Sequence, residues 1–134
     1  MGKGMIGPLI AVVDDDAAFV DLMCEVLTDE GYRVVVSTAE EDAAAMVARA
    51  RPALAILDLR MTEASSGFTI LRTLRDDPST AALPVLICSA DVIFLRDHAD
   101  ELRALGCQTL PKPFDLDTLL RTVRAMLGNA PAEP

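Results

Sequence analysis

Short apolar runs alternate along the chain with stretches in which apolar residues recur every three or four positions. Leu9–Val13 is an unbroken apolar run, the pattern of a strand covered on both faces. Phe19, Val20, Leu22, Met23, Val26 and Leu27 follow at helical spacing, with Gly31 placed to stop that helix. Arg33–Ser37 is β-branched and reads as the second strand. Thr38-x-x-Glu41 has the form of a capping box, opening an alanine-rich helix that runs to about Ala50 and ends at Pro52. Ala53–Leu57 is the third strand, and Ile70, Leu71 and Leu74 mark a third helix ending before Asp77-Pro78. Pro84–Cys88 is the fourth strand. Leu95, Ala99, Leu102 and Leu105 predict one fourth helix, stopped by Gly106. Cys107–Leu110 is the fifth strand, and Leu116, Leu119, Leu120, Val123 and Leu127 mark the last helix.

Five apolar strands alternating with five helices imply an α/β fold, with a parallel sheet covered on both sides. The chain has 134 residues, a length suited to one domain with a sizeable core. We place that domain at residues 8–128, with flexible termini at 1–7 and 129–134. No internal repeat, linker or second domain is apparent. Since the chain ends with the fifth helix, no separate output domain is expected.

In a parallel α/β sheet the useful edge lies at the carboxyl ends of the strands. The first strand leaves into Asp14-Asp15-Asp16, the third into Asp58, the fourth into Ser89, and the fifth into Lys112-Pro113. Taken singly, each has a structural explanation: Asp16 capping the first helix, Asp58 closing a strand, Ser89 capping the fourth helix. Together, one exit per βα unit, they gather carboxylates, a hydroxyl and an ammonium at one edge. Two ionised carboxylates ~5 Å apart at an effective dielectric of ~20 repel by roughly 3 kcal/mol. Such a cluster calls for cations. Lys112 is one, and Mg²⁺, which takes oxygen ligands and tolerates one or two carboxylates, is a natural second. A carboxylate is also a nucleophile able to form an aspartyl-phosphate.

Composition narrows the function classes. The 21 acidic and 12 basic residues give a net charge of −9, which disfavours direct contact with nucleic acid or an anionic membrane. No apolar stretch reaches the roughly 18 residues that span a bilayer. The acidity is concentrated: residues 1–50 hold ten acids and three bases. Cys24, Cys88 and Cys107 are odd in number and lack the close spacing of metal sites, so they read as buried reduced thiols of a cytoplasmic protein. His98 reads as a surface histidine, the arginines 96, 103, 121 and 124 as a solvated face, and the methionines mostly as core fillers.

The motifs Val12-Val13-Asp14-Asp15-Asp16, Leu57-Asp58-Leu59-x-Met61, Ser89-Ala90 and Lys112-Pro113-Phe114 resemble the receiver domain of bacterial response regulators. The resemblance covers residues 8–128 and implies a (βα)5 flavodoxin-like, doubly wound sheet of order 2-1-3-4-5. It places Asp58 where the phosphoacceptor lies. Asp14 and Asp15 match the acidic pair that holds Mg²⁺, with Asp58 and the backbone carbonyl of Arg60 as further ligands. Ser89 and Lys112 match the hydroxyl and ammonium that meet the phosphoryl group. The implied partners are a histidine kinase or phosphotransfer protein and a downstream protein target, with output by protein binding or phosphorelay. The implied state is a stand-alone monomer or weak dimer, a signalling domain and not an enzyme.

Three departures stand out. Thr62 occupies a position where proline is usual, and Gly67 falls one residue late, so the loop Arg60–Gly67 carries an apparent insertion. Thr109 replaces the usual aromatic switch residue. Arg60 and Asp91 occupy positions that tune phosphate lifetime, and a pair across the site mouth is expected. Two rival readings are a non-phosphorylated interaction module of the same fold and a haloacid-dehalogenase-type phosphatase. The latter expects D-x-D-x-[TV], whose last position Ala18 misses. Neither a Gly-rich dinucleotide fingerprint nor a P-loop is present.

Overall fold

The computed structural model describes residues 7–58 and 64–128. Its strands are β1 (Leu9–Val13), β2 (Arg33–Ser37), β3 (Leu54–Asp58), β4 (Val85–Ser89) and β5 (Cys107–Pro111). All pair in parallel in the order β2-β1-β3-β4-β5. The helices are α1 (Ala17–Asp29), α2 (Glu40–Ala50), α3 (Ala64–Asp76), α4 (Val92–Asp97), α5 (Ala99–Ala104) and α6 (Leu116–Gly128).

Alternate strand residues face opposite sides of the sheet, so each central strand contributes to two cores. Ala11, Val13, Ala55, Leu57, Val85 and Ile87 pack with Ala43, Val47, Leu71, Leu74 and Leu102 on one side. Ile10, Val12, Leu54, Ile56, Leu86 and Cys88 pack with Val20, Met23, Leu27, Leu119, Val123 and Met126 on the other. Burial on both faces explains why the central strands are continuous apolar runs without alternation. Among the described residues no helix is long and apolar enough to cross a membrane.

Several expectations need correction. The single fourth helix is two short ones that meet at His98. The hydrogen-bond spacing stays in phase: His98 N donates to Phe94 O and Leu102 N to His98 O. The backbone at His98 nevertheless leaves the helical region, at φ −109° and ψ 16°. Its ring packs 4.2 Å from that of Phe94 and 5.4 Å from that of Phe68. His98 is thus a half-buried packing residue rather than a surface one. Nearby, Arg72 lies over Phe68 and pairs with Glu101, tying α3 to α5. Of the cysteines, Cys88 alone is fully buried, and burial pushes its thiol up to about 12. Cys24 and Cys107 are half-buried, and all three are free.

The expected capping partner Glu41 has a side chain outside the described residues. The residue preceding α2 is Ala39, whose side chain accepts nothing, while Ser37 Oγ bonds the Ala39 backbone. Ala39→Asp is therefore expected to stabilise the protein by about 1 kcal/mol. A higher urea midpoint with unchanged slope would show it, and an unmoved midpoint would count against it. Gly31, by contrast, ends α1 as expected, with φ +91° in the left-handed region. Gly7, assigned to the flexible N-terminus, is described, and its carbonyl accepts from Arg33 Nε at 2.8 Å. The rest of the two termini, residues 1–6 and 129–134, lies outside the described residues.

Candidate functional site

The carboxyl ends of β1, β3, β4 and β5 deliver the expected groups to one edge. Asp14 follows β1 directly, and its backbone N–H continues the ladder to Ser37 O at 3.2 Å. The side chain is 1% exposed. Its Oδ1 accepts from Asp16 N at 3.0 Å, and its Oδ2 accepts from Lys112 Nζ at 2.9 Å. Asp58 closes β3, and its Oδ2 accepts from the same ammonium at 3.1 Å. Lys112 is held by its own backbone, since its N–H donates to Ser89 O at 2.8 Å. One cation therefore joins carboxylates from two strands.

Burial outweighs the hydrogen bonds from Asp16 and Lys112 and holds the Asp14 carboxyl above the usual aspartate range; the charge of Asp58 adds to this. For Lys112, burial alone would lower the pKa. The hydrogen bond to Asp14 and the charges of Asp58 and Asp14 win, and the ammonium titrates above the ordinary lysine value.

Ser89 is fully buried, and its Oγ accepts from Asp91 N at 3.1 Å. Asp91 in turn caps α4, accepting from Phe94 N at 2.9 Å. Asp15, which follows Asp14 of the Asp14–Asp58–Lys112 triad in sequence, is exposed, while Asp16 caps α1 through Ala18 N and Phe19 N. Thr109 lies mid-strand in β5 and is exposed, away from the triad's contacts. Residues 59–63 lie outside the described residues. The Arg60 carbonyl, the Arg60–Asp91 pair and most of the expected loop insertion fall there.

One site residue is missing from the sequence reading. Lys112 Nζ lies 3.9 Å from the ring centroid of Phe19, and Phe19 meets Phe114 edge-on at 6.2 Å. The usable signal is two of the chain's four phenylalanines flanking the acidic and basic exits.

The donor set is hard oxygen around one ammonium. Among the described residues no group of three His, Cys, Asp or Glu side chains is gathered around a metal position. Asp14 and Asp58, both on Lys112, offer the one or two carboxylates that Mg²⁺ takes while it keeps several waters. A cavity of about 560 Å³ lies elsewhere, lined by Pro52, Pro84, Gly106, Gln108 and Met126 among others, with no charged side chain in its wall.

The sequence profile described as the response regulator receiver domain matches residues 10–124. The chain is similar to the DNA-binding dual master transcriptional regulator RpaA of Synechocystis sp., at 34% identity over 120 residues covering 90% of this chain and 49% of the relative. Among solved structures it resembles the chemotaxis response regulator CheY4 of Vibrio cholerae. That likeness has a TM-score of 0.79 at 26% identity, covering 90% of this chain and 98% of the other. It also resembles the receiver domain of the sensor histidine kinase PA1611 of Pseudomonas aeruginosa PAO1, solved with a magnesium ion coordinated in its active-site cleft. There the TM-score is 0.79 at 22% identity, covering 92% of this chain and 99% of the other. The chain spans 25–53% of the length of RpaA and the other curated relatives it matches.

Proposed function

The chain belongs to the response-regulator receiver domain family, and from that membership we propose that it accepts a phosphoryl group on Asp58 and signals through a protein partner. Receiver domains are signalling domains, not classical enzymes; they bind Mg²⁺ in the active site and interact with histidine kinases and downstream targets. The observation that carries the proposal is the Lys112 ammonium lying 2.9 Å from Asp14 Oδ2 and 3.1 Å from Asp58 Oδ2. A purely structural Asp–Lys pair has no need of a second strand-end carboxylate.

In the proposed reaction an Asp58 oxygen attacks the phosphorus of a phosphohistidine. The O–P bond forms, the P–N bond breaks, and the leaving imidazole keeps the electron pair. Lys112 holds the Asp58 carboxylate in place and offers its N–H groups to a phosphoryl oxygen. Asp14, Asp15 and Asp58, with the Arg60 carbonyl, are the residues that would hold Mg²⁺. When bound, the ion supplies neutralisation of phosphoryl charge. Ser89 Oγ, now accepting from Asp91 N, is the hydroxyl placed to turn toward a phosphoryl oxygen.

Such a turn releases the Asp91 amide. Asp91 caps α4 at Phe94, whose ring stacks on His98 at the α4–α5 joint. These contacts support a route from Ser89 to the outer helices that does not need an aromatic at Thr109. The net charge of −9 supports a protein as the receiving partner.

The test is phosphorylation of the full chain by acetyl phosphate with Mg²⁺. The expected result is one acid-stable, base-labile phosphoryl adduct by intact mass, mapped to Asp58 after borohydride trapping. No adduct, or an adduct mapped to another residue, overturns the proposal.

A further inference from the structure

We propose that Phe19 is a positioning residue for Lys112, its ring completing the coordination of the ammonium and holding it against the phosphoryl-accepting edge. The inference rests on the reading of Asp58 as phosphoacceptor.

A lysine ammonium has three N–H donors and no acceptor. Two of them are directed to Asp14 Oδ2 and Asp58 Oδ2. The ring of Phe19 lies 3.9 Å from Nζ, well inside the roughly 6 Å within which a cation is drawn to an aromatic face. That attraction grows when water is excluded, and the Lys112 side chain is only 19% exposed. A lysine carries a flexible four-carbon stem and a strongly hydrated head. Without the ring, that head is free to turn one donor toward solvent.

The ring is itself fixed. Phe19 lies in the first turn of α1, where Asp16 Oδ1 accepts from Phe19 N at 3.3 Å. Phe114, two residues beyond Lys112, meets it at an interplanar angle of 77°, the edge-to-face geometry that aromatic pairs favour. Phe19 and Phe114 thus belong to the two segments that carry Asp14 and Lys112. Phe19 holds the donor set together across them. When an Asp58 oxygen becomes bonded to phosphorus, one Lys112 donor passes to a phosphoryl oxygen. The ring keeps the ammonium from drifting outward as it does so.

Two measurements on the full chain test this. In the wild type, the Lys112 ε-methylene protons are expected upfield of ordinary lysine positions because they lie over the ring. Phe19→Leu abolishes that displacement and Phe19→Tyr retains it. Phosphorylation by acetyl phosphate with Mg²⁺ is expected to slow about five-fold in Phe19→Leu, the size of one partly desolvated cation–π contact. Phe19→Tyr stays near wild type. Should Leu disturb the fold, Phe19→Met fills a similar volume without a π face and gives the same loss. Unshifted Lys112 protons in the wild type overturn the proposal whatever the variants do. So does Tyr losing as much rate as Leu, or both non-aromatic variants keeping the wild-type rate. If the wild type takes no phosphoryl group on Asp58, the functional reading fails, and the proton shifts still decide whether the ring holds Lys112.

Discussion

Lys112→Ala is expected to lower the unfolding free energy by about 3–5 kcal/mol in metal-free buffer at neutral pH, the usual cost of removing one partner from a buried ion pair. Asp14 is 1% exposed and the Asp58 side chain 13%, so neither gains much water when the ammonium goes. Both lose the cation they share, and their mutual repulsion is then screened only by the protein. The elevated Lys112 pKa carries a sign that can be checked. A base titrating higher in the folded state adds stability that is complete below its unfolded value of 10.5 and lost as pH climbs through the folded value. The wild-type advantage should therefore be flat across neutral pH and shrink in strong alkali, and it should shrink in acid too, where protonation of Asp14 removes a charge the ammonium pairs. Urea titrations of both proteins measure it directly. Millimolar Mg²⁺ should restore part of the loss, because a ligand that binds the folded state alone stabilises it by mass action. A loss below about 1 kcal/mol would mean that the site is wet enough to tolerate two adjacent charges, as surface pairs do.

The same residues show what the sequence could and could not tell. Leu9–Val13 and Arg33–Ser37 have the boundaries that their apolar and β-branched runs predict. The later strands each begin or end a residue further along than expected. A pattern reading stops at the first polar residue or proline, whereas the ladder continues through Asp58↔Cys88 and Ser89↔Pro111. The site was legible because strand exits in a parallel sheet converge on one edge, so Asp14, Asp58, Ser89 and Lys112 needed only correct strand assignment. Other features depend on three-dimensional contact. Nothing in periodicity distinguishes a continuous helix from one that breaks at His98, since the hydrogen-bond phase is kept through the break. The backbone of Ala39, which precedes α2, is bonded by Ser37 Oγ, a contact that no capping motif in the sequence announces. The Phe19 ring meets Lys112 across 93 positions of sequence, a pairing that no local spacing encodes.

Asp14→Asn should have the opposite effect, stabilising the metal-free protein. Burial holds the Asp14 carboxyl above its ordinary 3.8, so the folded chain binds this proton more tightly than the unfolded one. Folding stability contributed by the group is then highest at low pH and falls as pH rises from the unfolded value through the raised one, leaving a net cost at neutrality. Asparagine keeps the shape and carries no charge to desolvate, but its one acceptor oxygen serves either Asp16 N or Lys112 Nζ, which two different Asp14 oxygens serve in the wild type. The expected result is a thermal midpoint roughly 3 °C above wild type at pH 7 without metal. The advantage should fade toward pH 4, where the wild-type carboxyl also becomes protonated. It should reverse in Mg²⁺, which stabilises the wild type and finds one carboxylate fewer in the variant. In the Asp14→Asn background Lys112→Ala should cost less than in wild type, since the ammonium then answers only Asp58. Scanning calorimetry at the two pH values, with and without Mg²⁺, reads all of these. An asparagine variant less stable than wild type at pH 7 without metal would show that the Lys112 contact outweighs burial at Asp14. An advantage undiminished at pH 4 would show that the effect is not the carboxyl's charge. If both expectations hold, the buried carboxylate at the end of β1 costs the fold stability in the absence of a cation, which is what a residue placed for ion binding rather than for folding should do.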